Sequence, residues 1–388
     1  MKNCHNGFIL KKFVLLVKKE IMLSVSLIVA VISMFITKPE LSLIYKIDWK
    51  TLATLFMLLT VLEGFKRENL FSPLLQYTAK ISSIKFLSCF FVFSVFFTSM
   101  FVTNDVSLII FVPLTIILFR AGNKEKYILP VLTFENIAAI RGSLLTPFGS
   151  PQNLFLFSQS KINAASFIML MLPLWIFSMF LLFCFICFLY RKDAKEKIII
   201  QKQNVCVPWK KEQKPKRFLY LTLFIIIIIT IVSRTTFWPF VTLFVTLSLL
   251  IFDRKILLQT DYVLLLTFLC FFIFSSSICN NPAISSFLKR HVSGHEYAWS
   301  ILLSQIISNV PASIVLWPFT TNLRALLYGL DSAGLCSIIG SLASVINLRI
   351  YSREYPGKSL SFLKTFTWIS LVFFAIVVFP QYWLIKNF

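Results

Sequence analysis

Two polar interruptions, each set inside a long apolar stretch, carry one pattern: Ser99-Met-Phe-Val-Thr103-Asn104-Asp105 and Ser304-Gln-Ile-Ile-Ser308-Asn309-Val310. From position 99 to position 304 the offset is 205 residues, and at that offset Pro113 meets Pro318 and Thr115 meets Thr320. Both halves therefore share Ser-x3-Thr/Ser-Asn-x8-Pro-x-Thr, which reads as an internal duplication. Backbone left unpaired in hydrocarbon is costly, so such a break has to line a protein-enclosed or water-filled cavity. Inverted-repeat carriers hold substrate between broken helices near the bilayer midplane, and paired interruptions are the sequence mark of that site.

The chain is 57% hydrophobic and 14% charged, with 43 Phe among 388 residues, a balance that excludes a soluble domain and indicates a polytopic membrane protein. Its formal charge of +22 sits in short segments between apolar runs, as in cytoplasmic loops. The implied partner is the anionic surface of a lipid bilayer, not nucleic acid. Lys2, Lys11, Lys12, Lys18 and Lys19 precede the first apolar run with no cleavage site behind a short hydrophobic core, so an uncleaved first span is expected. The eight cysteines are scattered and form neither a disulfide framework nor paired Cys-x-x-Cys ligands. Cys184 and Cys187 share one helix face as small packing residues. His291 and His295 stand four apart beside Glu296, but Gly294 and an expected loop setting argue against a metal site. No cofactor is expected beyond Na+ or H+ as a coupling ion.

About 20 apolar residues cross the hydrocarbon core as a helix. Spans are expected near 21–37, 50–65, 127–158, 166–190, 218–233, 237–252, 261–278, 324–350 and 363–385. Segments 84–120 and 298–322 carry the breaks in their interiors and leave short arms, which fits re-entrant hairpins. Segment 69–82, with Pro73, Gln76 and Lys80, reads as an interfacial arm helix. The connection 191–217 holds ten Lys or Arg and three acids, which marks it as a cytoplasmic linker between an N-terminal repeat, 1–190, and a C-terminal repeat, 218–388. The expected fold class is all-α: a polytopic membrane protein of two inverted repeats, each with a re-entrant hairpin and a broken transmembrane helix. Charge bias puts the N-terminus in the cytoplasm and span parity puts the C-terminus outside, in the plasma membrane.

Thr103, Asn104 and Asp105 offer a hydroxyl, an amide and exposed backbone at a hairpin tip, groups that replace the hydration shell of a cation or contact an anion. An intramembrane Asp105 is a candidate proton or sodium site. The competing reading is that Asn104 and Asp105 merely cap a second arm starting at Val106. The run Gly142-Ser143-Leu144-Leu145-Thr146-Pro147-Phe148-Gly149-Ser150-Pro151-Gln152-Asn153 cannot continue a helix, so the span 127–158 breaks there. Gly340-Ser341-Leu342-Ala343-Ser344 repeats the Gly-Ser-Leu of 142–144 and also trails its hairpin, although small residues equally permit close helix packing. Arg141, Glu135 and Asp331 are further ionisable groups within these spans. Arg141 either meets an anion or neutralises Glu135 or Asp105. Glu63, beside Lys66 and Arg67, reads as an interfacial pair.

With Thr103-Asn104-Asp105-Val106, Phe111-Val112-Pro113 and Leu145-Thr146-Pro147-Phe148-Gly149-Ser150-Pro151-Gln152-Asn153-Leu154, the chain resembles the ion-transporter superfamily. It is most similar to the anion-permease or citrate-transporter-like branch, related to dicarboxylate–sodium symporters and arsenite efflux permeases. The resemblance implies two inverted repeats moving in an elevator-like alternating-access cycle, and a homodimer. It implies that Thr103, Asn104, Gly149, Ser150 and Asn153 surround one ion and part of the substrate, and Ser308, Asn309, Ser341 and Ser344 the other. Sodium would then lie near Asn104, Gly149, Asn309 and Ser341. Arg141, Ser143, Thr146, Gln152 and Asp331 complete the candidate set. The chain departs from close relatives at Ala139-Ile140-Arg141-Gly142-Ser143, where they usually read Ala-Asn-Leu-Gly-Ser. It departs again at Ser150 and Asp331, where they tend to carry Asn.

The function expected is secondary active transport of a small anion, a di- or tricarboxylate such as citrate or a related inorganic anion, coupled to Na+ or H+. Asp105 favours a second transporter reading, arsenite-type oxyanion export or Na+/H+ exchange. Outside transport stand a non-transporting sensor or scaffold and a membrane-embedded enzyme. The enzyme would need a nucleophile, an acid–base pair or a metal cluster, and no catalytic residue of that kind is evident.

Overall fold

The computed structural model describes residues 21–36, 45, 47–68, 70, 78, 81–192, 197–198 and 214–387. Its first half comprises α1 (Ile21–Ile36), α2 (Trp49–Arg67), α3 (Ile84–Val102), α4 (Asn104–Ala121), α5 (Ile128–Ser143), α6 (Pro151–Gln159) and α7 (Ala164–Leu189). The second comprises α8 (Lys214–Ser233), α9 (Trp238–Gln259), α10 (Tyr262–Asn280), α11 (Pro282–Val292), α12 (Glu296–Ile307), α13 (Asn309–Leu316), α14 (Leu323–Cys336), α15 (Leu342–Glu354) and α16 (Ser359–Asn387). The described residues hold no extended sheet, and six of the helices are long and apolar enough to cross a membrane. The protein is an all-α polytopic membrane protein. The lysine-rich start, most of the arm at 69–82 and most of the linker at 191–217 lie outside the described residues.

Polar side chains mark where the apolar helices begin. Asp48 accepts from Thr51 N at 3.0 Å before α2, Asn163 from Ser166 N at 2.7 Å before α7, Asp261 from Leu264 N at 3.1 Å before α10, and Asn322 from Ala325 N at 3.0 Å before α14. Each satisfies a backbone donor that the first turn leaves open. Outward faces are apolar, with Phe379 77% and Ile251 76% exposed, whereas Asn136, Arg141, Asn153 and Asn347 are fully buried. That is the reverse of a soluble protein, and it follows from hydrocarbon as the outer solvent.

The same succession of elements occurs twice. In each half a helix pair joined by one residue is followed by a helix that breaks and resumes, and then by a long helix. The joining residues are Thr103 (φ 74, ψ 156) and Ser308 (φ 70, ψ 160), a backbone region otherwise occupied by glycine. The resumed helices start at Ser150 (φ −147, ψ 153) and Ser341 (φ −147, ψ 135). The structural counterpart of Gly340-Ser341 is thus Gly149-Ser150 rather than Gly142-Ser143, which still belongs to α5. The arms differ in length. Those of the second half, 12 and 8 residues, are short as expected, whereas α3 and α4 have 19 and 18 and are each long enough to cross, because Thr103 divides its apolar stretch nearly in the middle.

Within the units α3 packs on α5, and α12 and α16 on α14; the units interlock where α4 packs on α15, α13 on α6 and α16 on α5. Outside them α1 packs on α10, and α2 on α8 and α9. The α9 helix kinks at Asp253 (φ −157, ψ 64), where the buried carboxylate accepts from Arg67, from Lys216 Nζ at 3.1 Å and from Tyr220 OH at 3.1 Å, tying α2, α8 and α9 together. His291 lies in the last turn of α11 rather than in a loop, its Nδ1 2.8 Å from Phe287 O. His295 follows the turn at Gly294 (φ 83), so the pair does not share a helix face.

Candidate substrate and ion site

At the first tip the backbone turns at Thr103 and α4 begins at Asn104, two residues before the start expected from a capping reading. Asn104 Oδ1 accepts from Asp105 N at 3.0 Å, so the amide serves its own turn. Asp105 sits in the first turn, where the helix dipole favours its charge, and its Oδ1 is buried without a partner. Thr103, Asp105 and Ser150 line one cavity of ≈ 110 Å³ together with Glu63 and Asp261. Three carboxylates from α2, α4 and the cap of α10 therefore face one small volume. Glu63 also pairs with Lys66 at 3.1 Å, the ion pair their spacing predicts.

The first break is held by its own polar atoms. Asn153 Nδ2 donates to Ser143 O at 3.5 Å and Leu144 O at 3.4 Å, covering carbonyls that the end of α5 leaves open, while Asn153 Oδ1 stays buried and unpartnered. Thr146 Oγ1 donates to Met100 O at 2.5 Å and so fastens the break to α3. Ser143 Oγ bonds back to Ile140 O at 3.1 Å within its helix. Gly149 lies so close to Ser143 that an added Cβ would be 2.2 Å from Ser143 O. These residues build the break, and their side chains are largely engaged there.

Arg141 pairs with neither Glu135 nor Asp105. The Glu135 carboxylate accepts from Thr115 Oγ1, and Arg141 Nη2 donates to Ser332 Oγ of α14 at 3.1 Å. Arg141 Nε and Nη1 have no partner. Beside them Gln152 Nε2 donates to Asp331 Oδ1 at 3.2 Å, leaving Gln152 Oε1 and Asp331 Oδ2 buried and unpartnered. Ser332 and Gln381 exchange hydrogen bonds at 2.6 and 3.0 Å, and Tyr297 OH donates to Gln381 Oε1 at 2.5 Å. This cluster joins both broken helices to α12 and α16.

The second tip is bound more tightly to its surroundings. Asn309 Nδ2 reaches Leu330 O at 3.4 Å, next to Asp331, and Asn309 N reaches Gly340 O at 3.3 Å in the second break. Ser308 Oγ lies 3.5 Å from Asn309 Oδ1. Ser344 Oγ accepts from Asn136 Nδ2 at 2.9 Å and Asn347 Nδ2 donates to Leu132 O at 2.9 Å, lacing α15 to α5. Ser341 caps α15 by position without a side-chain bond and is 1% exposed.

The residues predicted from sequence thus fall into several places. Thr103, Asp105 and Ser150 share the acidic cavity, and Arg141, Gln152 and Asp331 gather where α5, α6 and α14 meet, with Asn309 next to them. Ser143, Thr146, Gly149 and Asn153 build the first break, Asn104 and Ser308 serve their own tips, and Ser341 and Ser344 stand at the start of α15. Sequence reasoning missed Asn136, Tyr297, Ser332, Asn347 and Gln381. Buried amides inside apolar spans, Asn136 in α5 and Gln381 directly after Pro380, were the available signal.

A family model described as citrate transporter matches residues 13–340. The chain is 32% identical over 305 residues to an uncharacterized transporter, MJ0456, of Methanocaldococcus jannaschii, covering 78% of this chain and 81% of that protein. It is 32% identical over 342 residues to the inner membrane protein YbiR of Escherichia coli, covering 86% and 88%. Helices that cross a membrane, breaks that turn buried polar groups toward each other, and these similarities converge: the chain belongs to the citrate transporter family and is a multi-pass membrane transporter, not an enzyme.

Proposed function

We propose that this transporter carries a small anion, with di- and tricarboxylates such as citrate as the leading class, between two inverted repeats that alternate access in an elevator-like motion. The observation that carries the reading is Arg141, a fully buried guanidinium at a helix break with Nε and Nη1 unpartnered. A buried cation with open donors attracts an oxyanion, because carboxylate or sulfate oxygens restore the hydrogen bonds that desolvation removed. Na+ or H+ would drive the movement. We place the protein in the plasma membrane as a homodimer, with its N-terminus in the cytoplasm and its C-terminus outside.

Ligand-induced thermal shifts of the purified protein test this, using citrate, succinate, sulfate and arsenite, each in sodium and in potassium and across pH. A shift that requires one anion, with a defined cation or pH dependence, is the expected result. A shift with sodium or pH alone, and none with any anion, would favour the second reading, cation/proton exchange. The observation behind that second reading is the cavity lined by Glu63, Asp105 and Asp261.

A further inference from the structure

We propose that Asp331 is a built-in counter-anion for Arg141, and that a substrate anion takes its place there while Asp331 takes up one proton. The inference rests on the anion-transport reading and specifies how charge is balanced at its site.

Both groups are almost fully buried, Arg141 at 0% and Asp331 at 1% exposure, and they come from different halves of the chain. They feel each other electrostatically, yet no contact of 4.0 Å or less joins Arg141 to any carboxylate among the described residues. A buried ion pair selected for stability would close that gap and satisfy its remaining atoms. Here both groups keep open atoms: Arg141 Nε and Nη1 as donors, and Asp331 Oδ2 with its neighbour Gln152 Oε1 as acceptors. The arrangement is held from behind, by Ser332 on the guanidinium and by the Gln152 amide on the carboxylate.

Charge accounting then sets the chemistry. Empty, the pair is neutral. An anion on the open edge of Arg141 would leave an uncompensated negative charge in a water-poor interior, which is expensive. One proton from the side on which the anion enters, placed on Asp331, cancels one unit of that charge, leaves a dianion such as sulfate with one net negative charge instead of two, and supplies a donor where Gln152 Oε1 now has none. No bond other than that O–H forms, and none breaks within the protein.

The other ionisable groups around the pair are otherwise engaged or neutral. Tyr297 of α12 donates to Gln381, and Tyr328 of α14 donates to Leu170 O at 2.7 Å. Glu296 at the start of α12 accepts from Thr321 N at 2.9 Å and Asn322 N at 3.1 Å. Glu135 of α5 takes Thr115, and Arg324 of α14 donates to Leu384 O at 3.1 Å. Cys336 lies one turn beyond Ser332 as a thiol, its Sγ 3.8 Å from Ser332 O. The described parts of α6 and α13 contribute no ionisable side chain. Asp331 is the one carboxylate among these that acts electrostatically on Arg141.

The test uses the full-length protein in detergent, with citrate, succinate and sulfate as probes between about pH 6 and 8.5; sulfate is fully ionised throughout. With one linked proton, apparent affinity weakens about tenfold per pH unit on the alkaline side, and a pH dye in weak buffer reports about one proton taken up per site. Asp331→Asn should bind with a flat pH profile and no proton uptake. Arg141→Gln should lose binding. Because that variant leaves a buried carboxylate without its counter-charge, Arg141→Gln/Asp331→Asn provides a charge-neutral control that should keep the wild-type Tm while remaining unable to bind. An Asp331→Asn protein with the wild-type slope, or a double variant that binds like wild type, overturns the inference. Wild-type binding that ignores pH overturns it too, yet leaves anion transport standing. Wild-type silence toward all three probes overturns both.

Discussion

The two hairpin tips share a backbone and differ in their attachments. Thr103 and Ser308 adopt nearly the same strained conformation, and each is followed by Asn. At the first tip Asn104 serves its own turn and the neighbouring Asp105 faces a small acidic cavity. At the second, Asn309 reaches out to Leu330 beside Asp331 and, through its backbone, to Gly340 in the second break. Duplicated geometry therefore supports two kinds of surface, one left open and one fastened to the charged cluster. Conserved backbone shape with divergent polar contacts is what a protein needs if one tip handles an ion and the other positions substrate.

The largest expected effect sets a glycine at the end of α5, where two helices meet, against a glycine inside the second break. An alanine at Gly142 would put its Cβ 1.9 Å from Phe96 O and 2.4 Å from Ser99 Oγ, on α3. At Gly340 the obstacle is Ala333 O at 2.1 Å, on the helix that leads into the same break. Gly142→Ala should cost on the order of 3 kcal/mol, because two helices must separate. Gly340→Ala should cost less, because one loop can shift. Tm in detergent and the yield of monodisperse protein measure both. Rescue of Gly142→Ala by Ser99→Ala would show that the hydroxyl, not the Phe96 carbonyl, sets the spacing and would sink the argument.

A smaller effect separates the two asparagines. Asn309→Ala loses the contact to Leu330 and should cost ~1 kcal/mol, against roughly half that for Asn104→Ala, whose only described side-chain bond is to the next residue. Anion-induced thermal shifts should disappear in both, since each tip contributes to binding under the proposed function. Equal losses of Tm would erase the distinction between an open and a fastened tip.

Much of this was legible in the sequence because membrane burial writes itself as apolar length. The positions of α1, α2, α7, α10 and α16 follow from their apolar runs, and the first break follows from Pro147, Gly149 and Pro151 interrupting another such run. Pair identities were not legible. Arg141 had equally reasonable partners in Glu135 and Asp105, nearby in sequence, yet its neighbours are Ser332 and Asp331, nearly two hundred positions away. Which side chains meet depends on how the two units interlock, and hydropathy is blind to rotation of one helix against another. The Gly-Ser-Leu match at 142–144 misled for a related reason: a tripeptide records composition, whereas the matching backbone conformations fall at Ser150 and Ser341.

The smallest effect tests the strain at the tips directly. Thr103 and Ser308 occupy a region in which residues with a Cβ cost about 1–3 kcal/mol, so glycine should stabilise either position if the side chain does nothing else. Relief should be larger at Thr103, whose branched Cβ crowds the turn more and whose side chain makes no capping bond. At Ser308 the hydroxyl sits 3.5 Å from Asn309 Oδ1, and its loss offsets part of the gain. A rise in Tm for Thr103→Gly that exceeds the rise for Ser308→Gly, each worth about 1 kcal/mol or less, is the expected order. If these tips hold their shape in order to present Asp105 and Asn309, the glycine variants should also bind ligand more weakly despite melting higher. A drop in Tm at Thr103→Gly would mean that the threonine makes a contact essential to the tip, and the strain would then be a by-product of that contact rather than a device for holding the site open.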